Sequence, residues 1–264
     1  MTALLSLRGV EKRFGAVRVL HGVDLDVAAG EVVGLVGDNG AGKSTLMKTV
    51  TGLHRADAGA IRLAGEDLAP LDPGARRARG VEMIYQDLSL ARQQDVPSNV
   101  FLGREPTRRW LGIGPPLVDR ARMEREAAET VARLGARLPD LRRPVGTLSG
   151  GQQQTVAIAR ALSFRPRLVI MDEPTAALAV REVQGVLDLV RRLRAEGIAV
   201  ILISHRLNDV LAVTERVVVL RHGRAAADLR TRETSMGEVV AHIVGAEGAE
   251  GAAAAAAHEE GARA

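Results

Sequence analysis

The chain has 264 residues, 46% hydrophobic and 26% charged, which is enough apolar material for a buried core in one large domain or two small ones. It has no Cys, which excludes disulfides, thiolate metal sites and Cys nucleophiles. Net charge is +4, from 36 basic and 32 acidic residues; with three Lys and one Tyr there is little to titrate above neutrality, so a small excess pushes the pI to 10.2. Aromatics make up only 2%, leaving few platforms on which bases could stack, and nucleic acid is not expected as a partner.

Met1 to Glu11 alternates apolar and polar residues and lacks the continuous apolar core of a signal peptide. Val23, Leu25 and Val27 alternate with polar neighbours, as do Ile61 and Leu63 after a Gly-Ala turn, so the first third reads as β-rich. Between them Glu31 to Gly37 is an apolar run that suits a buried strand, and from Lys43 the spacing of Leu46, Met47, Val50 and Leu53 is helical. The middle third, about residues 87–161, is Arg-rich and expected to be mostly helical. Met123, Ala127, Val131, Leu134 and Leu138 supply the period there, and Pro106, Pro115 and Pro116 mark loops.

Strands are expected at Leu168 to Met171, Ala199 to Ile203 and Val217 to Leu220, with a helix carrying Val183, Val186, Leu187, Val190 and Leu193 between the first two. Ser235 and Glu238 have capping-box spacing ahead of a closing helix. After Gly245 the composition becomes Gly/Ala/Glu low complexity, which reads as a disordered tail over residues 246–264. No apolar run approaches the roughly 18 residues a membrane span needs, so a soluble, intracellular protein is expected. There is no internal repeat, and a single nucleotide-binding unit is expected.

Four segments carry chemistry. Gly37, Asp38, Asn39, Gly40, Ala41, Gly42, Lys43 and Ser44, with Thr45 following, fit the phosphate-loop pattern between a strand and a helix. The glycines let backbone N–H groups curl around phosphate oxygens at a helix N-terminus, Lys43 would reach the β/γ-phosphates, and the Ser44 hydroxyl would ligate Mg²⁺. A chain that writes Arg almost everywhere has a Lys here, where a compact ammonium fits better than a planar fork. The strand ending at Met171 runs into Asp172 and Glu173, suited to orienting Mg²⁺ and to activating water as general base. His205 follows the next buried strand and would emerge at the same sheet edge, within reach of a γ-phosphate. Ser149, Gly150, Gly151 and Gln152 offer a hydroxyl and two Gly amides at a helix start. That pattern fits a second anion site or an ordinary cap.

LSGGQ (Leu148 to Gln152), after GDNGAGKST (Gly37 to Thr45) and ahead of VIMDEP, resembles the ATP-binding cassette (ABC) transporter ATPases from about Leu4 to Val244. The resemblance implies an α/β P-loop NTPase cassette with a RecA-like core, an antiparallel β subdomain and a helical signature subdomain near residues 87–161, all within one domain over 1–245. It implies ATP and Mg²⁺ as ligands. Phe14 becomes the aromatic that stacks on adenine. Gln86 becomes the glutamine that senses Mg²⁺ and faces a membrane subunit, and Ser149 and Gly151 become contacts to ATP held by the opposite copy. One departure stands out: Ala177-Leu178 is followed by Ala179 where the family usually has Asp.

Met83 to Leu88, Asn99 to Glu105 and Asp172 to Leu178 are further similar to bacterial monosaccharide importers of the ribose, xylose and fructose type. The implied partners are a second copy of the chain, integral-membrane permease subunits and, indirectly, a solute-binding protein. The implied location is cytoplasmic, peripheral on the inner face of the cell membrane. Import of another solute such as an amino acid, or a non-transport ABC ATPase, is the competing reading. A phosphate-loop kinase or GTPase would leave LSGGQ without a role.

Overall fold

The structure is a computed structural model that describes residues 3–85, 87–110, 113–136, 138–176, 178 and 180–246. The alternating N-terminal residues form β1 (Ala3–Phe14), paired antiparallel with β2 (Val17–Ala28). β3 (Val32–Val36) is buried along its whole length and feeds a loop that opens α1 (Lys43–Val50). Leu46, Met47 and Val50 of α1 are fully buried, each contributing roughly 1.5–3 kcal/mol. The helical period expected to reach Leu53 stops earlier. Gly52 adopts φ +85°, a left-handed conformation that terminates the helix, and Leu53 is 48% exposed. Arg76 donates to the Thr49 and Val50 carbonyls and so satisfies that helix end.

β4 (Ala58–Leu63) and the short β5 (Glu66–Asp67) complete an antiparallel sheet of order β2-β1-β4-β5. α2 (Pro73–Ala78), capped by Asp72, leads into β6 (Val81–Ile84). The stretch expected to be mostly helical holds α3 (Val96–Val100), then a hairpin of β7 (Thr107–Trp110) and β8 (Ile113–Val118), then α4 (Arg120–Arg133) and α5 (Gly150–Leu162). Pro115 and Pro116, expected in a loop, lie inside β8. Among the described residues no third strand pairs with this hairpin, so β8 keeps an edge that tolerates residues without an N–H, and the register slips opposite them, between Arg108 and Trp110.

The last third adds β9 (Leu168–Asp172), α6 (Val180–Ala195), β10 (Ala199–Ile203), α7 (Leu207–Leu211), β11 (Arg216–Arg221), β12 (Arg224–Arg230) and α8 (Met236–Val244). Ser235 caps α8 by accepting from the Glu238 N–H. The Glu238 carboxylate accepts from the Thr234 hydroxyl at 2.6 Å.

The central sheet has the order β12-β11-β3-β10-β9-β6, parallel except for β12 at one edge. Successive residues of each strand point to opposite faces, and the core divides accordingly. Val32, Val36, Val169, Met171, Val200 and Leu202 pack on the side of α4, α5 and α6, whereas Val33, Leu35, Leu168, Ile170, Ile201 and Ile203 pack with α1 and the antiparallel sheet. Strand order reverses around β3, which brings the carboxyl ends of β3, β9 and β10 to one crevice. Open α/β sheets collect ligands there. Among the described residues no helix is long and apolar enough to cross a membrane.

Candidate functional site

The loop after β3 is shaped by close backbone approach. A Cβ on Gly37, at φ +149°, would lie 2.1 Å from the Leu220 carbonyl oxygen of β11, so the loop can seat there only with glycine. Gly42, at φ +104°, is the N-cap of α1 and offers no side-chain cap, which leaves the first-turn N–H groups facing outward. Lys43 is buried; its Nζ donates to the Gly37 carbonyl at 2.7 Å and the Asp38 carbonyl at 3.0 Å. Burial pulls the ammonium below its usual range, while Glu173, Asp172 and Asp38 oppose that shift and favour the cation.

Asp172 ends β9 beside the loop. Burial raises its carboxyl, and a hydrogen bond from Ser44 together with the charge of Lys43 works against that rise. Ser44 and Asp172 therefore share one spot, a hydroxyl and a carboxylate. Among the described residues no cluster of three or more His, Asp or Glu side chains forms a ready-made metal cage. Mg²⁺ fits such a sparse oxygen site, because it keeps waters and takes further ligands from substrate phosphates.

Glu173 adopts φ +51°, unusual for a residue with a side chain, and its N–H is pinned to the Ile203 carbonyl at 2.9 Å. The bond crosses from the end of β9 to the end of β10 and aims the carboxylate at His205. Its Oε1 lies 3.3 Å from His205 Nε2, with the His side chain half exposed and the Glu side chain 11% exposed. That oxygen is buried, and among the described residues no hydrogen bond reaches it. Burial raises the Glu173 carboxyl, and His205 partly offsets the rise.

Asn39 to Thr45, Asp172, Glu173 and His205 line one cavity of about 390 Å³, with Val19 and Ile203 as apolar wall. Phe14 stands outside that lining, at the end of β1. It is 44% exposed, its ring edge-on to His54 at 5.1 Å and its centroid 5.4 Å from Lys12 Nζ, so it is not a core residue. Gln86, Ala177 and Ala179 lie outside the described residues, as does the chain from residue 247 onward.

Ser149 to Gln152 are not brought into this cavity. Ser149 is the N-cap of α5 and forms a reciprocal capping box with Gln152, and both border a different cavity between α5 and α6. Ser149 Oγ and Gly151 N–H each donate to Glu182 Oε1 at 3.1 Å.

Other connecting residues are not apparent from the sequence. Arg160 near the end of α5 donates to the Leu88 and Ser89 carbonyls, tying the signature helix to the segment after Gln86. Thr175 bonds the Asp209 carboxylate at 3.2 Å, and Arg206 reaches the same oxygen at 3.1 Å, so the segments after Glu173 and after His205 share one anchor. A Thr after Pro174 and an Asp four residues after His205 are the only sequence signal for that anchor.

A glycine-rich loop at the switch point of a parallel sheet, with a lysine inside it and two carboxylates on the neighbouring strand, defines a phosphate-loop nucleotide-binding protein. The chain belongs to the ABC transporter family, whose model matches residues 20–176. It is 44% identical over 243 residues to a ribose import ATP-binding protein, RbsA, of Chromobacterium violaceum, an alignment covering 92% of this chain and 47% of that protein. It is 40% identical to a xylose/arabinose import ATP-binding protein, XylG, of Sulfolobus acidocaldarius, covering 90% of this chain and 93% of that one. The fold matches the ADP conformation of MJ1267, an ATP-binding cassette of an ABC transporter, with TM-score 0.78 and 28% identity over 92% of this chain and 96% of that one. The chain spans about half the length of several of the curated relatives it matches, RbsA among them.

Proposed function

We propose that the chain is the ATP-hydrolysing subunit of an importer that carries a monosaccharide across a membrane. The observation that carries the catalytic half is the Glu173 carboxylate, which lines the same cavity as Lys43, Ser44 and Asp172 and whose buried Oε1 accepts no hydrogen bond among the described residues. Lys43 and the first-turn N–H groups of α1 hold the β/γ-phosphates, and Phe14 offers a face to the adenine. Ser44 and Asp172 would hold Mg²⁺, which would draw charge from the phosphate oxygens. Glu173 takes a proton from water as the water oxygen bonds to the γ-phosphorus and the bond to the bridging oxygen breaks, giving ADP and phosphate. His205 steadies Glu173 and faces the γ-phosphate.

The signature donors Ser149 and Gly151 border a different cavity from the phosphate loop, so one chain carries two separate half-sites. Two copies facing head to tail would complete both, each signature loop meeting the nucleotide of the other copy. Gln86 is assigned the link to a permease on resemblance alone. The monosaccharide reading rests on the ribose and xylose/arabinose importers to which the chain is similar. Contact with a permease puts the chain peripherally on the inner membrane face, and the permease in turn meets a solute-binding protein.

Co-purification from detergent-solubilised membranes, followed by a ligand screen of the associated binding protein, tests the assignment. A monosaccharide should stabilise that protein. Stabilisation by an amino acid would overturn the substrate class, and absence of any membrane partner would overturn the importer.

A further inference from the structure

We infer that Glu182 is an internal latch on the signature loop, occupying in cis the donors that the partner copy's nucleotide must claim. The inference rests on the two-copy reading above. Glu182 stands in the first turn of α6, and its Oε1 accepts from both Ser149 Oγ and Gly151 N–H at 3.1 Å. A Cβ on Gly151 would meet that carboxylate at 2.8 Å, so the approach of α6 to the start of α5 is close. A carboxylate resembles one face of a phosphate: it is anionic, and its oxygens accept the same hydrogen bonds.

The consequence follows from charge and geometry. Each donor has one proton directed at Glu182 and cannot give it fully to a second oxygen. If the carboxylate stayed, it would also set a negative charge against the γ-phosphate in a closing, poorly screened interface. Closure therefore requires Glu182 to leave. Room exists: the cavity of about 540 Å³ bordered by Ser149, Gly151 and Glu182 also has Gln154 in its wall, whose buried Nε2 has no hydrogen-bond partner among the described residues. The latch keeps the loop ordered in the separated copy and raises the ATP concentration needed for closure.

The test uses the full chain with Glu173→Gln, in which closed dimers are expected to accumulate, titrated with Mg·ATP and read by light scattering. Adding Glu182→Gln should lower the ATP concentration for half-maximal dimer by roughly tenfold, the scale of one charge-assisted hydrogen bond at a half-exposed site. Glu182→Ala should lower it as well, while ATP binding to the separated copy stays unchanged, because Glu182 does not line the cavity that holds Lys43. An unchanged or higher ATP requirement in both variants would overturn the latch and make Glu182 a mere support of the loop. Failure of Glu173→Gln alone to dimerise would instead overturn the two-copy reading.

Discussion

Glu173 meets three constraints at once: a left-handed backbone, a hydrogen bond from its N–H to the end of β10, and a carboxylate buried beside His205. Glu173→Gln should slow hydrolysis by roughly 10²–10⁴-fold with ATP binding retained, as single-turnover kinetics would show. Because burial raises the carboxyl, the wild-type rate should fall with decreasing pH at a midpoint above the ordinary glutamate range. A carboxyl raised by folding favours the native state at low pH, and that contribution is lost as pH rises through the folded value. Thermal melts should therefore show Glu173→Gln more stable than wild type at neutral pH, with the advantage vanishing below about pH 4, under the unfolded glutamate value. Lys43→Arg is a sharper test of fit than Lys43→Ala. The ammonium sits within 3.0 Å of two loop carbonyls, and a planar guanidinium is too wide for that enclosure. Nucleotide affinity should drop roughly 10- to 100-fold, the scale of lost hydrogen bonds to a charged group; titration calorimetry reads it directly.

At the scale of elements, the helical region depends on side chains that hold loops. Asn99 is fully buried; its Oδ1 accepts from the Ala91 N–H, and its Nδ2 donates to the Ala91 and Asp95 carbonyls. Asn99→Ala should cost about 1–3 kcal/mol in urea unfolding, because the Ala91 N–H loses its partner while the Ala91, Gln94 and Asp95 carbonyls each keep only a backbone donor. The central strands β3, β9, β10 and β11 and the cavity residues around Lys43 and Glu173 were legible from the sequence, since buried parallel strands read as short apolar runs and the loop's glycines have fixed spacing; the edge strands β6 and β12 were not, the first being only four residues long and the second largely exposed. The β7–β8 hairpin was not, because Pro115 and Pro116 argue against a strand unless its edge is free. Leu53 fits the helical period, yet Gly52 ends the helix before it. Nothing in the sequence sets Glu182 apart, and only the packing of α6 against α5 brings it to Ser149.

For the whole molecule, composition and division of the site matter most. Residues 246–264 have almost no large apolar side chain, so removing them should leave the melting temperature and ATPase rate nearly unchanged; a clear drop in a thermal melt would show that the segment contributes to folding. The central claim is that two copies must close on ATP, because one copy keeps its phosphate loop and its signature loop at separate cavities. Ser149→Arg added to Glu173→Gln should abolish closure by filling the γ-phosphate contact. The most direct measurement is the molar mass of the Glu173→Gln protein by size-exclusion chromatography with light scattering, first in Mg·ATP and then in ADP. The account predicts a dimer in Mg·ATP that reverts to monomer in ADP; a protein that stays monomeric in both, while hydrolysing ATP at the wild-type rate, would contradict it.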